Sequence, residues 1–290
     1  MPLADPRFIM SLIKRRRDFF AHGSFKQGKF DKIMSKPAPA NRYAIFFTPR
    51  SGSTRVSGLI ADAELSNRPR EFFNPNFLDQ IAKRHSARNL REYVELIQRQ
   101  QQKNGHFGLE ITYKQIVYAF TTGARFLSFY QPHKTAWLIR EDILSQAVSV
   151  SRLIQTQVAH SPHVSSDALA QADDQFHYDA RQIRAAMSRI VWMERRTEAL
   201  IARAKLDSFR FSYEMTNALG PDRATRLLAE KLGMPVPPEG VEEQHKKLPG
   251  KKGNDFVARF RSEHPDLLRS VDRKRAPLLA LIEKQKELFL

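Results

Sequence analysis

The residues best suited to chemistry in this 290-residue chain begin with Pro49-Arg50-Ser51-Gly52-Ser53-Thr54. Gly52 lets backbone approach a ligand closely. The loop's N–H groups, its hydroxyls and the start of a following helix together make a cradle for an anion, and Arg50 adds a full charge. A nucleotide kinase or ATPase would carry Gly-x-x-x-x-Gly-Lys-Ser/Thr at such a turn. No glycine stands at the matching place before Gly52 and no lysine follows it. The loop therefore suits a phosphate but lacks the lysine that spans β- and γ-phosphates.

Arg140 closes a second candidate region, at the strand end where α/β sheets bind ligands. Ser145 and Ser149 lie four residues apart on the next helix and so share a face. Arginine plus a serine hydroxyl is a sensible grip on a phosphate; an ion pair of Arg140 with Glu141 or Asp142 is the alternative. Glu71 stands between Arg68-Pro69-Arg70 and Phe72-Phe73-Asn74, and local sequence alone reads it as a surface glutamate paired with Arg68 or Arg70. Lys251-Lys252-Gly253 reads either as a solvated linker or as a basic loop over an anion, with Arg259 on the same rim at helical spacing. His160 and His163 read as solvated loop histidines, and Trp137 and Trp192 as core. No His, Asp and Glu grouping has metal-site spacing, so no metal is expected.

Four short apolar runs supply the strands that would hold these residues: Tyr43–Phe47, Phe107–Tyr113, Thr135–Ile139 and Ser208–Ser212. Continuous apolar runs are what buried parallel strands require. A helix after Thr54 carries Val56, Leu59 and Ile60 inward. Another spans about 143–156 with Asp142 as N-cap. A long one runs from about Gln175 to Leu206, and 222–232 form a shorter one closed by Gly233-Met234-Pro235. Residues 157–174 read as a mobile loop or lid, and 235–253 as a loop. Strands alternating with helices argue for one α/β domain with a central, mostly parallel sheet flanked by helices.

Composition bounds the rest. With 41% hydrophobic residues the chain affords a core, which excludes wholesale disorder. The absence of Cys excludes disulfides, thiolate metal sites and cysteine nucleophiles. No apolar run approaches the ~18 residues of a membrane span. The N-terminus lacks a secretory pattern, so a cytoplasmic location is expected. Net charge of +17 calls for an anionic partner. Residues 1–40 form a basic extension with nine Lys/Arg and three Asp. Its Phe8, Ile9, Leu12, Ile13, Phe19 and Phe20 could line one helix face, packed on the domain or laid on an anionic membrane.

Taken in order, these motifs resemble the bacterial PAPS-dependent sulfotransferases typified by trehalose 2-sulfotransferase, a family that includes surface-glycolipid sulfotransferases. The resemblance rests on Tyr43 to Thr54, Arg68-Pro69-Arg70-Glu71-Phe72-Phe73, Phe107-Gly108-Leu109-Glu110-Ile111, Ile139-Arg140-Glu141-Asp142 with Ser145-Gln146-Ala147-Val148-Ser149, Ile154-Gln155-Thr156, and Lys252 to Phe260. It covers roughly 42–265, leaving a sulfotransferase domain at 41–265 and a charged helical tail at 266–290. It implies a P-loop-like sulfotransferase fold and PAPS (3′-phosphoadenosine 5′-phosphosulfate) as co-substrate, without metal. By the same resemblance, Glu71 is the general base for an acceptor hydroxyl. Arg50, Ser51, Gly52, Ser53 and Thr54 hold the 5′-phosphosulfate. Arg140 with Ser149, or alternatively Ser145, grips the 3′-phosphate, and Lys252 closes over it.

Acceptor contacts are assigned to Arg68, Phe72, Phe73, Asn74 and the lid, with a carbohydrate or glycolipid as acceptor. A lipid-linked acceptor would place the protein peripherally at the inner membrane, and the resemblance also admits a homodimer. One departure stands out: Glu110 occupies a strand position where a lysine is expected. It pairs with an arginine or serves an unusual acceptor, and Lys114, two alternations on, could face the same way. Two rivals keep their place. One is a P-loop-like nucleotide-dependent kinase. The other is a basic module binding nucleic acid or membrane, which has no use for an ordered Gly/Ser loop between strand and helix; nucleic acid is therefore not an expected partner.

Overall fold

A computed structural model describes Phe20 and residues 25–158, 166–237, 239–240 and 251–289. The chain runs α1 (Gln27–Met34), β1 (Asn41–Phe46), α2 (Ser53–Asp62), α3 (Leu78–His85), α4 (Leu90–Gln101), β2 (His106–Ile111), α5 (Tyr113–Phe120) and α6 (Gly123–Tyr130). It continues through β3 (Lys134–Ile139), α7 (Ile143–Thr156), α8 (Ser166–Gln175), α9 (Ala180–Arg203), β4 (Ser208–Ser212), α10 (Tyr213–Leu232), α11 (Lys251–Glu263) and α12 (Pro265–Phe289). The four strands pair in parallel in the order β2-β1-β3-β4.

Alternation along each strand sorts side chains onto two covered faces. Ala44, Phe46, Phe107, Leu109, Ile111, Trp137 and Ile139 point into one core, shared with α4, α5, α6, Leu200 and Ile201 of α9, and Leu278 and Ile282 of α12. Tyr43, Ile45, Ala136, Leu138 and Phe211 point into the other, under α2 and α10. Both faces being dry is why these strands read as unbroken apolar runs. A third cluster joins α7, α9 and α11 with Val271 of α12. The segment beyond 265, read from sequence as a tail, is thus packed into two cores.

The strand order reverses between β1 and β3, since β2 lies on one side of β1 and β3 on the other. Loops leaving the carboxyl ends of those two strands diverge and leave the crevice in which α/β sheets take ligands. They are the 47–52 and 140–142 loops.

Several sequence expectations shift. The second strand stops at Ile111 because Thr112 caps α5, its hydroxyl accepting from Gln115 N while Gln115 Oε1 accepts from Thr112 N. Lys114 therefore lies exposed on a helix and does not share the direction of Glu110. Trp192 is half-buried, edge-on to Tyr113, whereas Trp137 is fully buried. The expected lid contains α8, and Lys251-Lys252-Gly253 opens a helix instead of forming a loop. The helix expected at 222–232 begins at Tyr213 and kinks at Gly220, whose φ of 73° precedes Pro221. His160, His163 and the apolar face of the first 19 residues lie outside the described residues; Phe20 packs against Tyr93, their ring centroids 6.2 Å apart. Among the described residues no helix is long and apolar enough to cross a membrane.

Candidate functional site

The loop after β1 owes its shape to two residues in left-handed backbone, Arg50 at φ 65° and Gly52 at φ 94°. At Gly52 only glycine fits: a Cβ would sit 2.3 Å from Cδ2 of Tyr213. Gln146 of α7 pins the loop from beneath, its Nε2 donating at 2.8 Å to both Thr48 Oγ1 and Pro49 O. Gly52 precedes α2 without any side-chain cap, so the helix's opening N–H groups keep no partner of their own helix. The hydroxyl of Ser51 is buried and makes no hydrogen bond among the described residues. The result is a concave set of donors backed by a helix N-terminus, an anion cradle by construction.

Cations converge on one side of it. Arg50 Nε donates to Ser149 Oγ at 2.9 Å, tying the loop to α7. Burial, and then the charges of Arg140 and Arg152, push the Arg50 guanidinium below its ordinary value. Arg140 lies over the Tyr213 ring, 4.4 Å from its centroid, with Nε 3.3 Å from Glu214 Oε1 but in no hydrogen bond. Arg152 pairs with Asp173 at 2.7 Å, and Lys252 Nζ donates to the backbone carbonyl of Asp173 at 2.5 Å. Like charges packed this closely repel one another, an arrangement that an anionic ligand would relieve. Ser145 is spent elsewhere: its N–H and hydroxyl both bond the Asp142 carboxylate that caps α7. Arg259 stacks over Tyr178 at 4.1 Å and bonds Glu263, away from this group.

A carboxylate stands on the other side. The 67–74 segment runs along the free edge of β2. Asn67 exchanges two hydrogen bonds with the Gly108 backbone, and Glu110 N donates to Arg70 O at 3.1 Å. This fixes Glu71, whose Oε2 accepts from Asn74 Nδ2 at 2.9 Å and from Gln115 Nε2 at 2.5 Å. Glu110 is buried, 4% exposed, and the Ser53 hydroxyl bonds to it. Desolvation and then the charge of Glu71 push its carboxyl well above the usual range, with Ser53 and Arg68 acting in the opposite direction. Glu110 therefore meets the loop through Ser53, with burial favouring its protonated form. Glu71 follows Arg70 along the edge of β2, the strand paired with the one that leads into the cradle, and a positioned carboxylate near an anion site can deprotonate a hydroxyl bound there.

Three acceptor assignments change in consequence. Phe72 and Phe73 are core: their rings meet Phe107, Tyr93 and Phe120, and they are 4% and 0% exposed. Asn74 is engaged with Glu71 and with Asn76 N, so it positions the carboxylate. Arg68 remains exposed, its guanidinium along α2 near Gly58. The sequence reading did not single out Gln146, Arg152, Tyr213 or Gln115. Only Gln115 left a signal there, as the fourth residue of a Thr-x-x-Gln capping box. No group of three or more His, Asp or Glu among the described residues could hold a metal ion. A family model described as Stf0 sulphotransferase matches residues 42–263, well over half of the chain. No curated protein matches it.

Proposed function

We propose, given that the chain belongs to the Stf0 sulphotransferase family, that it moves a sulfuryl group from PAPS to a hydroxyl of a carbohydrate or glycolipid acceptor, with Glu71 as general base. The fit of the donor rests on the orphaned Ser51 hydroxyl, the unbonded Nε of Arg140 and the crowding of Arg50, Arg140 and Arg152. In this reading Arg50, Ser51, Gly52, Ser53 and Thr54 hold the 5′-phosphosulfate, while Arg140, Ser149 and Lys252 surround the 3′-phosphate. The donor brings an activated sulfuryl group carrying less negative charge than a γ-phosphate, so fixed cations and N–H groups suffice to balance it. Glu71, held through Oε2 by Asn74 and Gln115, takes the acceptor proton. Glu110, its carboxyl pushed well above the usual range by burial and then by Glu71, stands where a lysine was expected. A cytoplasmic enzyme working at the inner membrane suits the net charge of +17.

The observation that carries this reading is the cradle after β1, with its orphaned Ser51 hydroxyl and crowded Arg50, Arg140 and Arg152, one strand away from the segment on the β2 edge that carries Glu71. Calorimetry with EDTA present tests it. Adenosine 3′,5′-bisphosphate should bind without magnesium and more tightly than ATP. Binding of Mg-ATP alone would make the chain a kinase instead. Glu71→Gln should lower turnover of labelled PAPS by about 10²–10⁴-fold with nucleotide affinity nearly unchanged; an equal loss of affinity would remove Glu71 from the role of base.

A further inference from the structure

The helix α12 begins after the last residue of the family match, yet it reaches the loop that carries Arg140. Arg275 is 2% exposed. Its Nε and Nη2 bind Glu194 of α9 through both carboxylate oxygens, at 2.9 Å each. The same guanidinium continues upward: Nη1 donates to the Glu141 carbonyl at 2.8 Å and Nη2 to the Arg140 carbonyl at 2.5 Å. Lys286, further along α12, donates to Glu141 Oε2 at 2.7 Å, and Ser212 bonds Oε1 of the same carboxylate. Glu214 accepts from the N–H of Glu141 at 3.0 Å and of Asp142 at 3.4 Å. The turn between β3 and α7 is thereby held through its carbonyls from α12 and through its N–H groups from α10.

Packing does not ask for this. An apolar pair of similar volume in place of buried Arg275 and Glu194 is commonly neutral or stabilising. Burial, with a smaller push from the charge of Glu198, raises the Glu194 carboxyl above its usual range, and the Arg275 guanidinium only partly opposes that. What no apolar side chain can do is grip two successive carbonyls at the root of Arg140. Its geometry matches that need, since a planar guanidinium offers five N–H donors in a fixed fork.

We propose that Arg275 is a positioning residue for nucleotide recognition: it fixes the backbone from which Arg140 reaches, and so sets the preference for a nucleotide bearing a 3′-phosphate. The proposal rests on the role given to Arg140 above. Its test is a ratio, the affinity for adenosine 3′,5′-bisphosphate over that for AMP, measured by calorimetry on the full chain. Arg275→Met combined with Glu194→Leu leaves no unpaired buried charge. It should melt within a few degrees of the parent while the ratio falls about tenfold through the bisphosphate arm alone. Arg275→Lys, which keeps the charge but loses the fork, should not restore the ratio.

If the double variant unfolds, Lys286→Met carries the same test from the rim of the turn, with a fall of about threefold. An unchanged ratio in a folded variant overturns the proposal, and so does an equal loss for both nucleotides, which would mark Arg275 as general scaffold. A parent protein with no preference for the 3′-phosphate overturns the proposal together with the role of Arg140. Intact parental preference with an unchanged variant ratio removes Arg275 alone.

Discussion

Burial pushes the Glu110 carboxyl well above the range of most glutamates, and that has a thermodynamic sign. Facing it are Ser53 and Arg68 from the α2 side, Tyr43 of β1, whose own pKa it helps raise, and Glu71 from the edge segment. Below the ordinary carboxyl value of 4.5 both folded and unfolded chains are protonated. As pH rises above that, the unfolded chain releases a proton that the fold retains, so stability is lost with rising pH. Glu110→Gln removes this loss. The variant should melt higher than the parent at pH 8, by about 2–4 °C for each kcal/mol recovered, with the gap closing near pH 4. Thermal unfolding across that range checks it, and a gap independent of pH would mean that Glu110 is ionised in the fold.

Among elements, α5 does two things with one side chain. Gln115 returns the capping bond to Thr112 through its oxygen and holds Glu71 through its nitrogen. Gln115→Met should therefore cost about 0.5–2 kcal/mol as a lost cap and lower kcat about tenfold, leaving bisphosphate affinity where it was. A fall in affinity equal to that in kcat would place Gln115 in nucleotide binding instead. The example also shows what the sequence could reveal. Strands were legible because burial on both faces leaves a run such as Ala44-Ile45-Phe46 no alternation to hide in. Asp142 was legible as a cap because its partner lies three residues away. The hold of Gln115 on Glu71 spans 44 residues and a turn of the sheet edge, which local pattern does not encode. Phe72 and Phe73 were misplaced on the acceptor side for the same reason: an aromatic pair beside a catalytic candidate looks alike whether it faces Phe107 and Phe120 or a sugar.

For the whole molecule, two groups on opposite sides of the sheet bend the pH–stability curve in opposite directions. His85, 5% exposed where α3 meets α1, is pushed down to about 4 by burial and then by Lys29, Arg84 and Lys36. A neutral folded imidazole means stability that is full above the ordinary value of 6.5 and drains away as pH falls toward 4. Combined with the loss on the alkaline side from Glu110, melting temperature should peak between about 4.5 and 6.5. His85→Gln should flatten the acid limb and spare the alkaline one; a limb that stays steep would assign acid loss to the repulsion among the many cations. The grip of Arg275 on the Arg140 turn has a further consequence, for synthesis. A ribosome has already released all four strands, the cradle and Glu71 when Arg275 emerges. The growing chain therefore holds the strands, the loop and Glu71 before it holds the helix that grips the Arg140 turn and completes two of the cores.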